Sequence, residues 1–458
     1  MTEFLDTAIG RCYEILPTGL QLRIDRVRES PLAYRLVRGS FWSLTGSVVS
    51  RGLALAATVL AARLLGKSSY GELGIIQSTV AAFGTLAGFG MGTTATKYVA
   101  EFRVTDPNKA GRLIGLCSMV SWATSGMLAA TLVVLAPWLS RTVLSAPHLR
   151  EYLQAGSVLL LLSGINGAQN GTLAGLEAFK RMARVSATVG FMNFPLVVGG
   201  AYFFGLPGVV AGLTVAQAFG CLMTLLAVRH EAARHRIRIT YSSLKAETAV
   251  IWQFSIPAVL GILLISPMNW LCNAMLVRQP QGYSQMGALT AATQWYGAIT
   301  WLPYMLSGVT LSMLSERLGA ADGVGSVKLL RASIVGCAAI AVPVAAIGSL
   351  LSPYVMGAYG ADFRTEWPTL VAMLLAAAVT AVQIPIGVII AASNRMWIGF
   401  LLNLGWSAVL LTSTWWLLKW GSLGVAVGQL LAYTAQGLCA FAIAAHVIRR
   451  ATSNSSAP

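Results

Sequence analysis

Charge is scarce in this chain, and acid is scarcest of all. Charged residues make up 10% of its 458 residues, where a soluble domain carries about 25%. The 32 Lys and Arg outnumber the 16 Asp and Glu. With 56% hydrophobic residues and a mean hydropathy of +0.69, the composition excludes a soluble globular protein and indicates an integral membrane protein. Cysteine offers no chemistry. Cys12, Cys117, Cys221, Cys272, Cys337 and Cys439 are scattered, five of them in apolar runs, and no Cys-x-x-Cys occurs. Neither a disulfide framework nor a metal site is expected. His148, His230, His235 and His446 fall at the ends of apolar runs or between them and read as solvated. No cofactor or metal is expected. A cleavable signal is not expected either, because the first 38 residues mix acids and bases without an apolar core.

What the chain does have is apolar runs of about 20 residues, the length that spans a bilayer. Twelve spans are predicted: 40–63, 71–96, 113–138, 152–175, 185–204, 207–228, 249–274, 286–314, 329–356, 368–392, 397–417 and 421–447. The N-terminus, alternate connections and the C-terminus carry 24 Lys and Arg. The opposite connections carry 7, and Arg51 completes the total. This asymmetry predicts both termini in the cytoplasm, and it accounts for the net charge of +16 without nucleic acid. The outer connections are short and nearly free of acid/base groups. That argues against a membrane polymerase or ligase, so no enzyme is expected.

The two six-span halves resemble each other. Tyr70-Gly71-Glu72-Leu73-Gly74 after span 1 matches Tyr283-Ser284-Gln285-Met286-Gly287 after span 7. Glu101-Phe102-Arg103 matches Glu316-Arg317 at the ends of spans 2 and 8. Gly208-x-x-x-Gly212 matches Gly424-x-x-x-Gly428 at the openings of spans 6 and 12. An even number of spans per half makes the repeat parallel, with its axis along the membrane normal. The expected fold is therefore all-α, with about 12 transmembrane helices in two six-helix lobes. The expected divisions are an N-terminal extension 1–38, an N-lobe 39–230, a basic cytoplasmic linker 231–248, a C-lobe 249–448 and a tail 449–458. The extension, with Arg23, Arg26, Arg28, Arg35 and Arg38, reads either as an interfacial helix on anionic membrane lipid or as a partly disordered tail.

Arg51 breaks the apolar pattern. Counting from Ser40, it lies about 16 Å deep, near the bilayer midplane, where a guanidinium costs at least about 2.5–3.5 kcal/mol. Ser43, Ser47, Arg51 and Thr58 share one face of span 1. Such a stripe can hold a lipid diphosphate by charge-assisted, bidentate hydrogen bonds to Arg51. The plainer reading is an arginine bonded to carbonyls of a neighbouring helix. Asn166, Gln169, Asn170, Asn269, Asn273, Gln294 and Gln383 could meet sugar hydroxyls, or could simply join helices. Of these, Asn170, Asn269, Asn273 and Gln294 are taken with Arg51 and Ser47 as candidate substrate contacts. Trp295, Tyr296, Trp301 and Tyr304 could stack on sugars, although interfacial packing explains most of them. Glu101, Arg103, Glu316 and Arg317 are candidates for a gate between the lobes; solvated helix ends are the simpler reading. Pro195, Pro257, Pro267 and Pro385 would kink their spans. Gly66-Lys67-Ser68 is not a phosphate loop, because Ala61 stands where the first glycine would be.

Two stretches carry a family likeness. Ala62-Arg63-Leu64-Leu65-Gly66-Lys67-Ser68-Ser69-Tyr70-Gly71-Glu72-Leu73-Gly74 is one, and Gly88-Phe89-Gly90-Met91-Gly92-Thr93-Thr94-Ala95-Thr96-Lys97-Tyr98-Val99-Ala100-Glu101 is the other. Together they resemble the start of the polysaccharide transporters of the multidrug/oligosaccharidyl-lipid/polysaccharide exporter superfamily. Asn403 and Gly421-Ser-Leu-Gly424-Val-Ala-Val-Gly428 resemble that family's closing pattern, so the likeness covers about residues 38–448. It implies two lobes around a central cavity in the bacterial cytoplasmic membrane. It also implies movement of a polyprenyl-diphosphate-linked oligosaccharide to the outer leaflet by alternating access, beside a polysaccharide polymerase and export machinery. The departures are the N-terminal extension and the basic turn at Lys67, where relatives often carry acids. The alternative is a cation-coupled multidrug exporter. It would need deep carboxylates, and no Asp or Glu lies clearly inside a predicted span, while Arg51 would repel a cationic drug.

Overall fold

The computed structural model describes residues 31–88, 90–241, 263–319, 323–393 and 396–455. The regular elements among them are helical: α1 (Pro31–Ala87), α2 (Met91–Thr105), α3 (Pro107–Trp138), α4 (Arg150–Gly175), α5 (Phe179–Arg234) and α6 (Ile265–Val277) in the first part. The chain continues through α7 (Gly282–Gly319), α8 (Gly323–Leu350), the short α9 (Ser352–Gly357), α10 (Trp367–Ala392), α11 (Met396–Leu417) and α12 (Ser422–Ser455). Among the described residues, seven helices are long and apolar enough to cross a membrane. Residues 1–30 of the expected extension, most of expected span 7 and residues 242–248 of the expected linker lie outside the described residues. Residues 31–38 belong to α1, and the expected tail is helical to Ser455.

Local sequence sets the helix ends. Asp106 caps α3 by accepting the Lys109 N–H at 3.0 Å, and Pro107, which has no N–H to lose, opens the helix. The 57-residue α1 is broken at Gly66 (φ 76°) and the 56-residue α5 at Gly205 (φ 63°, ψ −139°). A straight helix as long as α5 would measure about 84 Å, far more than a bilayer of about 30 Å accommodates. Instead the chain reverses: a Cβ on Gly208 would lie 2.1 Å from the Gly200 carbonyl oxygen. Only glycine enters this backbone region without strain. Gly421, three residues before Gly424, adopts nearly the same turn (φ 60°, ψ −132°) as Gly205 before Gly208. The matched Gly-x-x-x-Gly openings therefore follow matched turns. Large aromatics stand exposed just before both, Tyr202, Phe203 and Phe204 in one case and Trp415 and Trp416 in the other, as in an interfacial belt.

The buried core is shared at one end of the molecule and divided at the other. Near the Gly66 turn, one cluster runs through both halves, with Tyr70, Ile75 and Leu149 against Leu276, Leu289 and Phe363. At the far end, Val99, Ala110, Ile114, Leu176 and Ala232 form a cluster of the first half. Leu314, Leu330, Ile386 and Ala440 form a separate one in the second half. Past α5, residues 237–241 run across the start of α3, where Thr240 N–H donates to the Gly111 carbonyl at 3.4 Å.

Candidate functional site

At the shared end, the segments Tyr70–Gly74 and Tyr283–Gly287 lie against each other. A Cβ on Gly71 would sit 1.8 Å from the Tyr283 carbonyl oxygen, and one on Gly287 would sit 2.1 Å from that of Lys67. This backbone contact joins α1 to α7, close to the turn that precedes α10 and to the start of α12. Lys67 Nζ then meets Glu366 Oε1 at 2.6 Å, with side chains only 12% and 17% exposed. Gln285 Nε2 donates to the same oxygen at 3.2 Å, and Ser422 Oγ donates to Glu366 Oε2 at 3.1 Å. Tyr70 is buried between Tyr359 and Phe363, with ring centroids 6.3 and 6.2 Å away. Tyr283 donates to the Leu144 carbonyl at 2.6 Å, and Trp270 donates to Thr79 Oγ1 at 2.9 Å. Apolar packing excludes water, and the carboxylate is satisfied by a cation and two neutral donors.

Arg51 sits fifteen residues before Gly66, about 22 Å along α1 from this seal. Its neighbour Ser50 packs on Gly190 of α5. Arg51 itself is exposed and meets the second half, its guanidinium carbon 5.1 Å from the centroid of the Trp301 ring on α7. Among the described residues no carboxylate or backbone carbonyl takes a hydrogen bond from it. The charge therefore rests against an aromatic face, with its donors open as far as the described residues go. Thr58 donates to the Leu55 carbonyl at 2.8 Å. Ser43 and Ser47 lie on α1 with side chains outside the described set.

The amides divide into joined and unjoined. Asn269 donates to the Ile265 carbonyl and accepts from Gln429 Nε2 at 2.9 Å, tying α6 to α12. Asn170 is exposed and donates to Asn166, while buried Gln169 accepts from Cys221. Asn273 and Gln294 are half-buried and make no hydrogen bond among the described residues. Gln294 precedes Trp301 by two helical turns, so both occupy one face of α7. Neither Asn269 nor Gln294 hydrogen-bonds to Arg51.

A cavity of about 390 Å³ within the second half is lined by Tyr304, Gln383, Asn403, Trp406, Tyr433 and Gln436. Gln436 Nε2 donates to Asn403 Oδ1 at 2.8 Å. Tyr433 stacks on Tyr296 at 5.7 Å and lies 5.4 Å from Trp406. Trp295 and Tyr296 prove to be packing residues, bonded to Tyr359 and Thr380. Sequence reasoning missed Trp406, Tyr433 and Gln436; the three-residue spacing of the last two on one helix face was the available signal.

At the divided end, Arg103 pairs with Glu177 at 2.6 Å, inside its own half. Glu101 is exposed. Glu316 lies outside the described side chains, and Arg317 is half-buried on α7. The structure does not join Arg103 to the second half. The inter-half ion pair it does contain, Lys67–Glu366, was not anticipated.

Residues 36–317 match the family described as "Polysaccharide biosynthesis protein". The chain is 20% identical over 396 residues to the EPS I polysaccharide export inner membrane protein EpsE of Ralstonia nicotianae, covering 85% of this chain and 89% of that one. It is 21% identical over 416 residues to the protein of the same name from Ralstonia solanacearum, covering 90% and 93%. Among solved structures, it superposes on an inward-facing multidrug resistance MATE family transporter of the MOP superfamily with a TM-score of 0.73 and 17% identity, covering 90% of this chain and 97% of that one. A MOP superfamily transporter from Pyrococcus furiosus, described as having a binding pocket of reversed polarity, gives a TM-score of 0.66 at 16% identity, covering 91% and 96%.

Proposed function

Starting from a chain that belongs to the polysaccharide biosynthesis protein family, we propose that it carries a polyprenyl-diphosphate-linked oligosaccharide from the inner to the outer leaflet of the bacterial cytoplasmic membrane. In this reading twelve spans form two six-helix lobes, 39–230 and 249–448, with both termini in the cytoplasm. The carrier's diphosphate binds Arg51 while its tail stays in lipid. The glycan meets the open amides Asn273 on α6 and Gln294 on α7 and those around Tyr433. Alternating access opens the end near Gly66 and closes the end where the core is divided.

The observation that carries the reading is Arg51, whose guanidinium lies on the Trp301 ring and makes no hydrogen bond among the described residues. An anion is the complement to such a group, and a diphosphate can take both arms of the planar fork. A cationic drug would be repelled. The test is export in a strain lacking the protein and complemented by variants. Arg51→Ala should abolish polymer outside the cell with insertion unchanged, and lipid-linked repeat units should collect on the inner leaflet. Arg51→Lys should restore only part of the export, because it keeps the charge and loses the fork. Full export by Arg51→Ala would overturn the assignment. Lost resistance to cationic drugs with export intact would favour a multidrug exporter.

A further inference from the structure

A cleft of about 680 Å³ at the divided end belongs to none of these roles. It lies between the end of α2, the turn from α4 to α5 and the end of α5. Its cations are Arg103, Lys180, Arg181, Arg184 and Arg234, and its carboxylates are Glu177 and Glu231. Arg103 is answered by Glu177 at 2.6 Å and Arg181 by Glu231 at 3.1 Å. Arg234 is left 3.9 Å from the already paired Glu231. Lys180 and Arg184 have no carboxylate partner among the described residues. Five cations against two carboxylates leave a surplus of three positive charges around one concavity. The start of α5 adds to it, because its first turn carries neither an acid nor a side-chain cap. On the rim, Val104 exposes 79% of its surface. A merely solvated basic face needs neither a concavity nor an apolar approach.

We propose that this cleft docks the phosphate head group of a membrane lipid, with Lys180 and Arg184 as its principal contacts. The unpaired cations supply charge-assisted donors, and the apolar rim receives the first part of the tail. The proposal stands on the charges of the cleft and does not depend on the flippase reading.

The test uses the full chain in phosphatidylcholine nanodiscs, carrying Arg51→Ala so that the deep arginine contributes nothing. Geranylgeranyl diphosphate, dihexanoyl phosphatidylglycerol and sodium diphosphate are titrated in turn by calorimetry. At least one lipid should bind, and Lys180→Gln with Arg184→Gln should weaken it about tenfold or more. The exchange Lys180→Arg with Arg184→Lys keeps the charge and should stay within about threefold of the parent. Preference for the isoprenoid identifies a carrier lipid, and preference for phosphatidylglycerol identifies bulk phospholipid; either supports the site. Lipid affinities untouched by the double Gln variant would overturn it, as would sodium diphosphate binding as tightly as both lipids.

Discussion

Two charged side chains on α1 have opposite fates, and their neighbours decide which. Arg51 rests on Trp301 with its donors open, a contact worth about 0.5–2 kcal/mol depending on desolvation. If the indole aims the guanidinium, Trp301→Ala should cut export several-fold while Trp301→Phe, which keeps an aromatic face, retains most of it. Equal export by both, at equal membrane abundance, would show that Arg51 needs no such support. Lys67 is instead consumed by Glu366 in a nearly closed environment. Removing one partner of a buried pair costs about 3–5 kcal/mol, because the other charge is stranded. Lys67→Met alone should therefore weaken the seal, and Lys67→Met with Glu366→Met should restore much of it. The readout is reactivity of Tyr70→Cys toward a membrane-impermeant thiol reagent, high in the single variant and low in the double. High reactivity in both would mean that the charges matter separately rather than as a pair.

Among the elements, the glycine turns deserve the sharpest test. Gly205 and Gly421 share a backbone conformation that a side chain enters only at a cost of about 1–3 kcal/mol. Gly205→Ala and Gly421→Ala should each lower the melting temperature in detergent, Gly421→Ala by more, because its Cβ would also lie 2.7 Å from Gln285 Oε1 whereas that of Gly205 meets nothing. Gly126 lies within α3 with open space around it, so Gly126→Ala should be neutral or slightly stabilising. A melting temperature unchanged by Gly205→Ala would remove strain from the account. These turns also mark how far the sequence could be read. The apolar helices and the matched Gly-x-x-x-Gly openings follow from local patterns, because hydropathy and glycine spacing are local properties. Hydropathy alone makes span 2 continuous from 71 to 96, yet Gly90 at φ 66° starts a new helix within it. Lys67 and Glu366 are 299 residues apart, and no periodicity links them. The same holds for the amides: Asn269 looks like a free sugar contact until α12 brings Gln429 against it.

For the whole molecule, the charge asymmetry predicts that reporter fusions after Lys245 and at Pro458 both read cytoplasmic. An external signal at either site would reverse or break the proposed topology. The shared core near Gly66 and the divided cores at the far end have a further consequence, best put as an equilibrium between populations. The seal favours the conformer described here, so a cargo opens the other side only by binding that other conformer better. Moving a population from one part in a hundred to the converse takes about 5.5 kcal/mol of differential affinity. Each contact at the seal thus raises the threshold a cargo must exceed. A transporter with Lys67 and Glu366 intact would stay shut to weakly held molecules, and one without them would turn over more freely and choose less well.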